Sequence, residues 1–153
     1  MILEHGNMWD VFGKTDLFII TTNSFIKANR SLVMGRGIAL EARTKIPNID
    51  FKFGNKIAET CGHLGKYGLI IVKQHDSQSQ SVGAFQVKRH FQDKADGNLI
   101  AISTLMLKQL ADKYTNYRFD INFPAIGFGK LKVGEVMPII SSLPDNVHVW
   151  QFK

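Results

Sequence analysis

The chain has almost no cysteine: Cys61 is alone among 153 residues. One thiol cannot build a disulfide framework or, within one chain, a cysteine-based zinc site, which fits a reducing compartment. The histidines His5, His63, His75, His90 and His148 show no metal-ligand spacing. Neither a metal nor a cofactor is expected. Long apolar runs are also missing, and none approaches the ~20 residues that a membrane span needs. The start, Met1-Ile2-Leu3-Glu4-His5, has no basic region followed by an apolar core, so no signal peptide is expected. The reading is a cytoplasmic protein, from a bacterium or from a virus acting in its host's cytoplasm, with no membrane partner. Internal repeats and domain-dividing linkers are absent too. Basic residues are dispersed, so no single run marks a nucleic-acid groove.

What is present describes an ordinary globule. Hydrophobic residues make up 44% and charged residues 21% of the chain, enough for one domain over residues 1–153 with a sizeable core. A monomer is expected. The formal net charge is +6. That charge suits an anionic ligand, or a substrate carried on nucleic acid, through long-range steering. A solubilising surface charge explains it equally well.

Short strands and helices alternate, which predicts an α/β fold. Strands are expected at Ile2–Glu4, Leu17–Thr22, Leu69–Val72, Val82–Val87, Phe119–Phe123 and Val147–Phe152. Helices are expected at Gly37–Lys45, Asp50–Thr60, Asn98–Tyr114 and Gly134–Leu143. In the third helix, Leu99, Ile102, Met106, Leu110 and Tyr114 recur at helical spacing and predict its apolar face. The polar segment His75–Ser81 reads as a loop, a candidate hairpin tip. The natural packing is a three-layer α/β/α sandwich with a mixed central sheet.

The run Met34-Gly35-Arg36-Gly37-Ile38-Ala39 follows a buried strand that ends in Thr22-Asn23. Glycines let the backbone approach a ligand, and the first N–H groups of a helix present the positive end of its dipole. That is a phosphate-binding arrangement. A second such loop, Gly127-Phe128-Gly129, follows the buried run Ile121–Ile126. Two glycine loops at strand ends suggest a clamp on a ligand with more than one phosphate. Phe128 is a lid over those phosphates or a core residue.

These residues resemble a macro domain, the ADP-ribose-binding module. Gly6-Asn7-Met8-Trp9, the strand ending in Asn23, the Met34–Ala39 loop and Phe123-Pro124-Ala125-Ile126-Gly127-Phe128-Gly129 occur in the family's order over nearly the whole chain. The likeness is greatest to the branch with the DNA and glutamate ADP-ribosyl glycohydrolases, which Phe85–Phe91 also resembles. The resemblance implies a site for ADP-ribose or an ADP-ribosylated macromolecule, DNA or protein. Asn7 stands where the family has an acidic residue for adenine, with Met8 beside it. Trp150 matches an aromatic position that packs on adenine. Met34, Gly35, Arg36, Gly37, Ile38 and Ala39, with Pro124, Ala125, Gly127, Phe128, Gly129 and Lys130, form the two loops that cradle the phosphates. Thr22 and Asn23 end the strand, and Asn23 holds the distal ribose.

Lys88 is the candidate catalytic residue beside Asn23, with Arg89 as a neighbour that could lower its pKa. A solvated strand-end lysine is the plain alternative. The glutamate-directed members have an aspartate soon after the second glycine loop, whereas here the run is Gly129-Lys130-Leu131-Lys132-Val133. Viral members have a histidine where Met34 stands. A water activated by the substrate's own phosphate would need only positioning. The implied activity is hydrolysis at the distal ribose C1″, of an ADP-ribosylated macromolecule or of a derivative such as ADP-ribose 1″-phosphate. The alternative is an ADP-ribose reader without turnover. A basic nucleic-acid binder without ADP-ribose affinity is a third reading.

Overall fold

The computed structural model describes residues 1–74 and 80–152; of the loop expected at His75–Ser81, residues 75–79 lie outside the described residues and Ser81 already belongs to a strand. In chain order the elements are β1 (Ile2–His5), a 3-10 turn (Met8–Val11), β2 (Leu17–Thr22), α1 (Gly37–Lys45), α2 (Ile49–Thr60), β3 (Leu69–Lys73) and β4 (Ser81–Gln86). Then come α3 (Gly97–Lys113), β5 (Phe119–Asn122), a second 3-10 turn (Gly127–Gly129), α4 (Val133–Ile140) and β6 (Val147–Gln151). One sheet has the order β1-β6-β5-β2-β4-β3. Its pairs are parallel except β3, which runs antiparallel to β4 on the edge.

The sheet is buried on both faces, and the period of two along β2 shows how. Leu17 and Ile19 enter one cluster with Ile100, Leu107 and Ala111 of α3 and Val136 and Ile140 of α4. Phe18 and Ile20 enter the other with Ala42 of α1 and Ile49, Phe53 and Ile57 of α2. Helices cover both faces of a mixed sheet, so the fold is a three-layer α/β/α sandwich. Continuous apolar strands such as Leu17–Thr22 are what two buried faces require.

Two expectations are corrected. The fully buried face of α3 is Leu99, Ile100, Ser103, Thr104, Leu107 and Ala111; of the expected stripe, Leu99 belongs to it and Met106 and Leu110 pack partly buried at its border, so the face is turned by about one position. The polar Ser103 hid that face in the sequence, yet its hydroxyl is satisfied by donating to the Gln86 carbonyl at 2.7 Å. Helix α4 ends at Ile140 rather than Leu143. Its start is set by Glu135, which accepts from the Lys132 N–H at 3.0 Å, a reach-back cap.

Four parallel neighbours and β1 all point their carboxyl ends to the same edge of the sheet. In such sheets ligands bind beyond those ends. Here the chain between β2 and α1 and the chain between β5 and α4 meet there.

Candidate functional site

A cavity of about 1000 Å³ lies at that edge, the upper end of what small-molecule sites span. Its walls come from the turn after β1, the ends of β2 and β5, the start of α1, the segment after β4, the second 3-10 turn and the end of β6. Of the expected ligand residues, Asn7, Met8, Thr22, Asn23, Gly35, Arg36, Gly37, Ile38, Ala39, Ala125, Gly127, Phe128, Gly129, Lys130 and Trp150 line it, and so does Lys88. Met34 and Pro124 do not. Met34 is 1% exposed and packs in the core against the α1–α2 layer, and Val33 takes its place in the wall. Pro124 is buried. Alternate residues of an extended segment point opposite ways, which sets Val33 in the wall and Met34 in the core.

Two loops face each other across the cavity. In the first, Gly37 opens α1 with φ +56°, and Arg36 supplies no side-chain cap. The first N–H groups of α1 are left to point outward, as an anion requires. A Cβ on Gly35 would meet no atom within 4 Å, whereas one on Gly37 would come 3.3 Å from Phe128 Cδ2. In the second loop, Ala125, Gly127 and Lys130 all adopt left-handed φ, at +66°, +76° and +64°. Left-handed positions of this kind curl the backbone into a concavity suited to an anion. Gly129 has a structural reason: its carbonyl accepts from the Ala95 N–H at 3.0 Å, and a Cβ would come within 3.1 Å of Ala125. Phe128 is no core residue. It is 55% exposed, sits over Gly37, and carries the Arg36 guanidinium 5.5 Å from its ring centroid.

Asn23 is 7% exposed. Its Nδ2 donates to the Val33 carbonyl at 3.0 Å and its Oδ1 accepts from the Phe25 N–H at 2.8 Å. One N–H and one lone pair remain for a ligand. Beneath it, the Tyr67 hydroxyl donates to the Asn23 carbonyl at 2.8 Å and pairs with the Thr22 hydroxyl. Burial pushes the Tyr67 phenol well above its usual range, so it stays neutral and keeps its proton. Gln86 completes the support. Its Oε1 accepts from the Tyr67 N–H at 2.8 Å, and its Nε2 donates to the Lys88 carbonyl at 3.2 Å.

Lys88 follows β4 and is half-buried. Its Nζ donates to the Asp93 carbonyl at 3.1 Å. Desolvation lowers its pKa; the Asp93 carboxylate opposes that, and the cations Lys130 and Arg36 add to it. The charge of Arg89, expected to act on Lys88, is felt instead at Cys61, where it opposes a rise caused by burial.

At the other named wall, Trp150 donates its indole N–H to Asp120 Oδ1 at 2.8 Å. Asp120 is fully buried and is held by Arg118 through paired bonds of 3.0 Å. Trp9, Glu41, Phe91, Gln92 and Asn122 also line the cavity and were not expected. Glu41 had a signal: it stands three residues after Ile38, on the same side of α1.

Comparison with solved structures decides the fold. The Thermosipho africanus DarTG structure in complex with ADP-ribose aligns with TM-score 0.76 at 16% identity over 98% of this chain. The macrodomain of Thermus aquaticus DarG aligns with TM-score 0.73 at 18% identity, over 99% of this chain and 97% of that one. The chain has the macrodomain fold. The macrodomain of Mycobacterium tuberculosis DarG agrees, with TM-score 0.76 at 17% identity and 99% of both chains covered. This chain spans 41% of the Thermosipho africanus chain. No protein-family model and no curated protein matches the sequence. The macrodomain sheet thus carries both glycine loops, Asn23 and Lys88 on one edge.

Proposed function

We propose that the cavity binds ADP-ribose and that the chain hydrolyses the bond at the distal ribose C1″. One observation carries this reading: the uncapped start of α1 and the left-handed curl of the second loop face each other across a cavity that also holds Asn23 and Lys88. The diphosphate lies between the loops, adenine packs on Trp150, and Asn23 orients the distal ribose. The ADP-ribose held by the Thermosipho africanus protein supports the choice of ligand.

In the reaction a water oxygen bonds to C1″, the bond from C1″ to the linked group breaks, and that group leaves with a proton. Lys88 is the side chain suited to assist. A lowered pKa gives it more neutral amine at a given pH, and that amine would take the proton from the attacking water and return it to the departing group. Its ammonium form would instead polarise the region around C1″. The substrate is ADP-ribosylated DNA or protein, or ADP-ribose 1″-phosphate. Incubation with a panel of these three tests the activity: release of product from one member supports hydrolysis, and release from none refutes it for the panel.

A second reading, an ADP-ribose reader, is favoured by a specific arrangement. Gly129-Lys130-Leu131-Lys132-Val133 brings no carboxylate to Lys88, and the Lys88 amine already donates to Asp93. Tight ADP-ribose binding with no turnover of the panel would establish it.

A further inference from the structure

The cavity is cationic, with Arg36, Lys88 and Lys130 in its walls, yet among its described lining residues there is one carboxylate, Glu41. Glu41 does not belong to the phosphate loops or to the Lys88 cluster: the charges felt at Lys88 are those of Asp93, Lys130 and Arg36. It lies on α1 one turn past Gly37, and its Oε1 accepts from the Trp9 indole N–H at 2.7 Å. Trp9 in turn is placed by Asn7, whose Oδ1 accepts from the Trp9 backbone N–H at 3.0 Å as the cap of the 3-10 turn. The Lys45 amine sits 5.4 Å from the Trp9 ring centroid. Trp9 and Trp150 both flank the same core layer as Ile38 and Ala39.

The indole contact engages Oε1 of Glu41, and the residue is exposed and lines the cavity, so its carboxylate has acceptor capacity left for a ligand. A carboxylate accepts hydrogen bonds and donates none. It therefore repels phosphate and suits the part of a ligand that carries N–H donors. Asn7 is the weaker acceptor on this side, because one lone pair of its amide oxygen is engaged by the Trp9 N–H and it has no charge.

We propose that Glu41 is the specificity-determining residue for the base, accepting a hydrogen bond from the exocyclic amine of adenine. The inference rests on the ADP-ribose reading and adds what that reading lacks, a charged acceptor supplied by α1 rather than by the turn after β1. Selectivity follows from the donor pattern. Hypoxanthine presents a carbonyl oxygen where adenine has its amine, so two acceptors would face each other.

Calorimetry of the full chain with ADP-ribose and with its inosine counterpart tests this. Wild type should prefer the adenine ligand by tenfold or more. Glu41→Gln keeps an oxygen for Trp9 and offers an amide donor, so the preference should shrink to within threefold. Glu41→Ala should also bind both ligands within threefold, and its melting curve reports whether it is folded. Full retention of the preference in folded Glu41→Gln or Glu41→Ala overturns the assignment, and so does wild type with no preference. Wild type that binds neither ligand refutes the ADP-ribose reading itself and removes the inference with it.

Discussion

The phenol of Tyr67 donates to the backbone carbonyl of Asn23 at 2.8 Å. This bond ties the end of β2 to the segment that leads into β3, and it lies directly beneath the residue expected to hold the distal ribose. Tyr67→Phe leaves the Asn23 carbonyl and the Thr22 hydroxyl without that partner in a buried place. The expected loss is about 1–3 kcal/mol of stability. Thermal melting measures it, and ADP-ribose affinity should fall along with it because Asn23 loses its fixed position. Unchanged melting would show that water or a neighbour replaces the phenol.

Gly37 is left-handed and lies against Phe128. Gly37→Ala should cost about 1 kcal/mol from the backbone conformation. Gly37→Val adds a branched side chain that must displace the half-exposed Phe128 ring. Both variants should fold and bind ADP-ribose more weakly, Val more than Ala. Wild-type affinity in folded Gly37→Val would remove this loop from the phosphate site.

Gly54 tests packing rather than function. A Cβ there would lie 1.9 Å from the Arg30 carbonyl oxygen and 2.9 Å from the Leu32 nitrogen. Those are backbone atoms and cannot swing away as a side chain would. Gly54→Ala should therefore destabilise by roughly 3 kcal/mol, the upper part of the usual range for overpacking, visible in denaturant unfolding. A shift under half of that would mean the α2 contact gives way more easily than its distances imply.

Lys88 gives a pH signature. Its folded pKa lies below the usual lysine value of 10.5 because burial and the cations Lys130 and Arg36 disfavour its charge. The unfolded chain therefore binds more protons here than the folded chain as pH approaches 10.5 from below. Through that window the penalty for burying the charged lysine is relieved and its effect on stability becomes more favourable as pH rises. If the neutral amine does the chemistry, turnover should rise with pH over the same window, and Lys88→Ala should abolish turnover with ADP-ribose affinity within a few fold. Full turnover by Lys88→Ala would leave water attack assisted by the substrate's phosphate.

Much of the architecture could be read along the chain because local rules and tertiary packing agree. The run Leu17–Thr22 is apolar on both faces, and both faces are buried. The glycines at 35, 37 and 127 mark a loop edge that does form the cavity. What failed needed the third dimension. The α3 face was misplaced because Ser103 reads as polar until its bond to Gln86 is seen. Met34 sits in a motif that lines the cavity but packs into the core, and Pro124 in the other motif is buried. Arg89 adjoins Lys88 in sequence, yet the cations that act on Lys88 are Lys130 and Arg36 from the two loops. The spacing of Glu41 from Ile38 marks its face of α1, but its contact with Trp9, 32 residues away, belongs to the tertiary structure.

The measurement that bears most directly on the account is calorimetric titration of the full chain with ADP-ribose, paired with thermal melting. A dissociation constant in the micromolar range is expected, about 8 kcal/mol. ADP, which lacks the distal ribose, should bind more weakly, and Asn23→Ala should narrow the gap between the two. Excess ADP-ribose should raise the melting temperature, since a ligand of the native state stabilises it. No heat and no thermal stabilisation at excess ADP-ribose would contradict the reading of the two glycine loops as its phosphate site.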